Sequence, residues 1–171
     1  MEKIYIGKTG DTPLGVLWLG VSEGGLVAVE FDMDRGEFTT YVQERFKRPV
    51  KYSPSRTADA ARQLREYLRG KRRKFTLPID WSVLRPFQRS ALQATYAIPI
   101  GETRTYGQLA RQIGHPRSAR AVGRAEATNP MPLVIPCHRV VGTDGKLHGY
   151  GGGEGLPTKE WLLKLEGAVL A

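Results

Sequence analysis

Apolar and polar positions alternate at the start of the chain. Ile4 and Ile6 flank a single residue, and the apolar runs "GVLWLGV" (15–21) and "LVAVEF" (26–31) follow. Each is bounded by a turn-forming cluster, "TGDTP" (9–13) or "SEGG" (22–25). Short apolar runs broken by Gly, Pro, Asp and Ser predict strands joined by hairpins. The first third is therefore expected to form an antiparallel sheet. The period then changes. Phe38, Tyr41, Val42 and Phe46 recur at helical spacing. So do Ala61, Leu64 and Leu68, in a second helix from about Thr57 that Gly70 is placed to end.

The run "KRRKFTLPID" (71–80) reads as a seam, basic and then broken by proline. It separates an N-terminal α/β domain, 1–80, from a mostly helical domain, 81–171. In the second, "PFQRSALQATYAIP" (86–99) opens on a proline suited to a first helical turn. "TKEWLLKLEG" (158–167) closes the helical part. Thr158 is its expected cap, Trp161, Leu162 and Leu165 its apolar face, and Gly167 its terminator.

Between them, "TYGQLARQIGHPRSARAVGRAEATNP" (105–130) predicts two short helices. Thr105 and Gln108 have the spacing of a capping box. "GHPRS" breaks the pattern, Ser118 can cap the second helix, and Asn129-Pro130 stops it, because a residue before proline disfavours the helical region. Such a pair is either a DNA-binding helix-turn-helix or an ordinary helical hairpin. The second helix carries Arg120 and Arg124 among small residues, including Ala121 and Gly123. That composition suits close approach to a phosphate backbone. It offers few side chains for reading base edges.

Charge sharpens this picture. The net charge of +9 is concentrated: residues 62–124 hold fourteen Lys/Arg against three Asp/Glu. A local excess is the footprint of a polyanion partner, nucleic acid first, or else a solvated face. No apolar stretch is long enough to span a bilayer, so no membrane partner is expected. The start "MEKIYIGKTG" has no apolar core of a signal peptide. The one cysteine cannot form an internal disulfide. A cytoplasmic, intracellular setting is the reading.

That cysteine, Cys137, lies in "LVIPCHRVVG" (133–142). Prolines 130, 132 and 136 predict a stiff, extended lead-in. Three readings are open: a small buried hydrophobe, a zinc ligand, or a nucleophile. Zinc would need His115, His138 and His148 at spacings that fit no common pattern. A nucleophile needs a base to form the thiolate. His138 is adjacent, but neighbours on extended backbone face opposite ways, so a turn at Pro136 or a bridging water is required. The base in turn wants a third group, for which Glu166 is a candidate. The glycine-rich "GYGGGEG" (149–155) lacks the ending of a phosphate loop. Its glycines allow a ligand's close approach or make a linker.

Taken together, "IPCHRVV", "TYGQLA", "ARAVGRA", "NP", "GYGGG" and "KEWLLKLEG" resemble, in order and spacing, the segments of O6-alkylguanine-DNA alkyltransferases. The resemblance spans about residues 86–167. It implies a ribonuclease H-like N-terminal part and a C-terminal part with a helix-turn-helix that binds duplex DNA without a cofactor. It implies flipping of the damaged base into a pocket and a single irreversible transfer of the alkyl group to Cys137. O6-alkylguanine is the implied substrate, with O4-alkylthymine beside it. His138 matches the base acting through water, and Glu166 the carboxylate orienting it. Asn129 matches the residue tying the recognition helix to the active-site segment, and Tyr106 the donor to the leaving guanine. Arg120 matches the arginine that fills the vacated stack. Ala121, Gly123, Arg124 and Ser118 would meet the DNA. Val140, Tyr150 and Gly151 would meet the base, Gly151 standing where some relatives have serine. The cysteines of some relatives' N-terminal zinc site are missing, so no metal is expected. A monomer is expected. The alternatives to repair are a DNA-binding module with an inert cysteine and a thiol hydrolase.

Overall fold

A computed structural model describes residues 2–144, 147 and 149–168. It divides into two units, Met1–Val83 and Leu84–Ala171.

The first unit is a four-stranded sheet with two helices. Strands β1 (Ile4–Lys8), β2 (Trp18–Ser22) and β3 (Gly25–Glu30) form the expected antiparallel meander. The sheet as a whole is not antiparallel. A short strand not foreseen from sequence, β4 (Val50–Tyr52), pairs parallel to β1, so the order is β3-β2-β1-β4 and the sheet is mixed. The cause is the intervening helix α1 (Arg35–Phe46), which carries the chain back across the sheet, as a parallel connection requires. Asp34 and Glu37 start α1 with a reciprocal capping box, and Lys47 ends it in the left-handed conformation. Phe38 and Val42 of α1 pack against Ile4, Ile6, Trp18 and Val27. Helix α2 (Pro54–Leu68) lies against β1 and β2. It comes so close that a Cβ at Gly7 would overlap the Thr57 hydroxyl. After the basic run the chain returns beside β3: Leu26 donates to the Pro78 carbonyl and Asp80 to that of Leu26.

The second unit is built on helices α3 (Pro86–Tyr96), α4 (Tyr106–Gln112), α5 (Ala119–Ala127) and α6 (Leu156–Leu165). Two short parallel strands, β5 (Arg104–Thr105) and β6 (Val140–Val141), join them. Pro86 occupies the first turn of α3. The Thr105–Gln108 capping box opens α4 as its spacing predicts. Leu109, Ala110, Val122, Ala94 and Val140 make a common core. Helix α6 starts earlier than expected: Gly155 is its N-cap and Thr158 lies inside its first turn. Pro157 favours this, since its fixed φ suits the first turn. The Thr158 hydroxyl instead accepts from the Glu154 amide.

Candidate active site

The segment that delivers Cys137 is a chain of turns, contrary to the extended lead-in expected from its prolines. Proline fixes φ near −65°, which suits turns as well as extended chain, and leaves ψ to other forces. Here the Asn129 side chain supplies one. Its Oδ1 accepts from the Met131 amide at 2.9 Å and its Nδ2 donates to the Ile135 carbonyl at 3.0 Å. The amide thus staples both ends of the loop that follows α5. Inside the staple, Leu133 is held at φ 75°, a conformation costing about 1–3 kcal/mol for a side-chain-bearing residue. Beyond Pro136 the backbone makes a single 3-10 turn, Cys137–Arg139. The turn removes the objection that Cys137 and His138 must face apart.

A buried ionic cluster stands behind that turn. His138, Lys159 and Glu166 are at most 1% exposed. His138 Nε2 lies 2.8 Å from Glu166 Oε2. Arg139 forks onto the same carboxylate, Nε to Oε1 at 2.9 Å and Nη2 to Oε2 at 2.9 Å, and its Nη1 reaches the Ile98 carbonyl. Burial alone would raise the Glu166 carboxyl, but the hydrogen bonds from His138 and Arg139 outweigh it and hold it at about 2. Burial lowers His138 against the pull of Glu166, so the imidazole is neutral at rest. A carboxylate so strongly held orients the ring and is a poor destination for its proton. Lys159 donates to the Val140 carbonyl at 2.7 Å.

The thiol is not a ready-made thiolate. Burial, then the nearby Glu126 charge, push Cys137 up to about 12, against help from the Asn129 amide and the Lys159 charge. Tyr106 is likewise raised to about 12 by burial and by Glu126 and Cys137, so its hydroxyl keeps its proton and remains a donor.

Cys137 opens onto a cavity of about 720 Å³. Tyr106, Arg120, Gly123, Tyr150 and Gly151, all singled out from sequence, line it with the thiol. Glu126 lines it too. Ser118, Ala121 and Arg124 do not, and neither do Asn129, His138, Val140 and Glu166. Ser118 is the N-cap residue of α5 but makes no side-chain capping bond. Val140 is wholly buried in the helical core; its amide returns to the Cys137 carbonyl and its own carbonyl holds Lys159.

Both units match known sequences. Residues 4–81 match the model "6-O-methylguanine DNA methyltransferase, ribonuclease-like domain", and residues 86–168 match "6-O-methylguanine DNA methyltransferase, DNA binding domain". The chain belongs to the 6-O-methylguanine DNA methyltransferase family. A methylated-DNA–protein-cysteine methyltransferase of Methanosarcina acetivorans is 39% identical over 92% of this chain and 96% of its own. The solved O6-methylguanine methyltransferase of Mycobacterium tuberculosis is 36% identical, with a TM-score of 0.76 over 98% of this chain and 93% of that one. A protein from the same organism, solved in complex with DNA, gives a TM-score of 0.75 at 36% identity over 96% of this chain and 92% of that one.

Within this family member, the basic bias seen in sequence is partly spent internally. Arg62 pairs with Asp59 and Glu66, and Arg72 with Glu66. Arg65 and Arg69 donate to the Thr9 and Asp11 carbonyls. Arg111, Arg117, Arg120 and Arg124, by contrast, are exposed on α4, α5 and their connection. Sequence reasoning missed Glu126, Arg139 and Lys159. Arg139 had a signal, its place directly after Cys-His. No helix among the described residues is long and apolar enough to cross a membrane. Nor do three His, Cys, Asp or Glu among them gather as metal ligands would; His148 lies outside the described residues.

Proposed function

We propose that this chain repairs alkylated DNA by direct reversal, moving the alkyl group of O6-alkylguanine, and of O4-alkylthymine, irreversibly onto Cys137. The carrying observation is the thiol's position: it sits on a cavity wall with Tyr106 and Arg120, backed by the buried His138–Glu166 pair. Helices α4 and α5 act as a helix-turn-helix on duplex DNA. Arg124, Ser118, Ala121 and Gly123 meet the backbone and groove, and Arg120 fills the space left by the flipped base. Residues 81–171 carry the chemistry as one domain beside a ribonuclease H-like domain, 1–80, in a monomer.

The base enters between Tyr106 and the Tyr150–Gly151 backbone, with Val140 behind. A thiol raised to about 12 by burial needs a preorganised base to become a thiolate. His138 has its Nε2 committed to Glu166, so Nδ1 is the basic nitrogen, and it takes the Cys137 proton through a bridging water. The thiolate then attacks the alkyl carbon. The C–S bond forms as the C–O bond breaks, and the electron pair passes to the guanine. Tyr106 donates a hydrogen bond as that charge develops. The thioether does not reverse, so each molecule acts once. Exposed arginines and a helix of small residues suit a protein that searches any sequence.

The deciding measurement is intact mass after mixing with a duplex containing O6-methylguanine. One methyl per protein molecule, absent in Cys137→Ser, is the expected result. DNA binding with no adduct would sink the reading, as would turnover without an adduct.

A further inference from the structure

Glu126 has no part in that mechanism, yet it lines the same cavity as the thiol and is 7% exposed. It is carried by α5, whose neighbouring inward residues, Val122 and Ala125, are apolar. One carboxyl oxygen, Oε1, is engaged by the Thr95 hydroxyl of α3. The other, Oε2, is buried with no hydrogen-bond partner among the described residues. An unmatched buried oxygen costs about 1–3 kcal/mol. A position serving only packing would be filled as Val122 and Ala125 are. An unmatched polar atom in the wall of a ligand cavity points to a partner that arrives with the ligand.

We propose that Glu126, as the neutral acid, is a second donor to the leaving base and supplies its proton. The proposal rests on the alkyl-transfer reading above. As Cys137 sulfur bonds to the alkyl carbon, the C–O bond breaks and its electron pair enters the purine. The Oε2 proton moves to a ring nitrogen, yielding a neutral base and a Glu126 carboxylate. The Cys137 proton stays on His138, so charge is conserved. The new carboxylate is met by Lys159, whose ammonium is fixed on the Val140 and Gly149 carbonyls. Thr95 holds the other oxygen throughout.

The resting charges agree with this role. Glu126 is raised to about 8, by burial first, against the Thr95 hydrogen bond and the Lys159 charge. It is the acid at neutral pH, and in that form it does not oppose the Cys137 thiolate. The titratable groups facing it are Tyr106 from α4, Cys137 from the 3-10 turn and Lys159 from α6, with Arg120, Asp144 and Tyr150 on the cavity wall.

Single-turnover methyl transfer from an O6-methylguanine duplex, measured from about pH 6 to about pH 9.5, tests this. The wild-type rate should fall as pH rises through about 8, where Glu126 ionises. Glu126→Gln keeps a donor but cannot ionise or release a proton, so it should start slower by about threefold and lose the falling limb. Glu126→Leu should be slower by about tenfold or more at every pH. The idea is overturned if Glu126→Gln retains the wild-type falling limb, or if both variants transfer at the wild-type rate. A merely structural role would slow Glu126→Leu and leave the limb of Glu126→Gln in place, which also overturns it. A wild-type protein that accepts no methyl at any pH would instead defeat the underlying repair reading.

Discussion

The two units solve the problem of an interior differently. In Met1–Val83 the buried positions are mostly apolar, and Asp80 is the sole buried acidic or basic side chain among the described residues. In Leu84–Ala171 the interior also holds Glu126, His138, Arg139, Lys159 and Glu166, beside the Cys137 thiol. Burying a charge is costly unless it is paired and hydrogen-bonded. One unit fills its interior mainly by packing, and the other places a hydrogen-bonded ionic cluster there. Asp80 shows how a lone buried charge is tolerated. Burial would raise it, but the hydroxyls of Ser22 and Ser82, with Arg48, overcome that and lower it.

The contrast can be broken most forcefully at Glu166. Glu166→Ala leaves Arg139 and His138 without their shared partner and should destabilise the protein by about 3–5 kcal/mol, read from denaturant unfolding. Asp80→Asn keeps its shape and neighbours and should lose about 1–2 kcal/mol. Equal losses would erase the distinction. Next comes pH. The folded Glu166 is depressed to about 2, so its contribution is present above the ordinary carboxylate range and lost as pH falls toward 2. Glu126 works the other way. Its folded value is raised to about 8, so the unfolded chain releases that proton first, and stability declines as pH climbs from the ordinary range to about 8. Glu126→Leu should therefore gain stability on the order of 2 kcal/mol at pH 8 and little near pH 4, seen as a widening gap in Tm. The same substitution should slow transfer, so that activity and stability part company at one residue.

Smaller effects lie on the surface. Arg124→Ala should weaken binding to any duplex and reduce the salt-dependence slope by about one. Arg120→Ala should weaken capture of the lesion more than general affinity; an equal loss in both would remove it from the stack. Gly151→Ser is the mildest. A Cβ there meets only the Ala127 carbonyl oxygen, at 3.9 Å, so stability should change by less than about 0.5 kcal/mol. Its measurable outcome is the relative rate on larger alkyl groups.

Legibility in the sequence followed locality. The α4 capping box and the β1–β3 hairpins depend on residues a few positions apart, and their patterns were plain. The strand β4 was hidden because its three residues are half-buried to exposed and its partner β1 is distant in sequence. The prolines before Cys137 misled because they fix φ only, and the staple that bends the chain comes from one side chain. Cys137 and His138 could be picked out as neighbours. Glu166, twenty-eight positions from His138, could be named only as a candidate third group until the family resemblance assigned its role. Lys159 and Glu126 looked like ordinary charges on helices, since nothing in a charged letter says that the fold will bury it.

The staple made by Asn129 has a consequence for chemical ageing. Asparagines decay when the following backbone nitrogen attacks the side-chain amide, closing a five-membered ring. The residue after Asn129 is Pro130, whose nitrogen carries no hydrogen and cannot make that attack. The chain's only asparagine is thereby spared the reaction that would turn its donating amide into an acid facing the Ile135 carbonyl. The amide that staples the loop before Cys137 thus sits where that clock does not run.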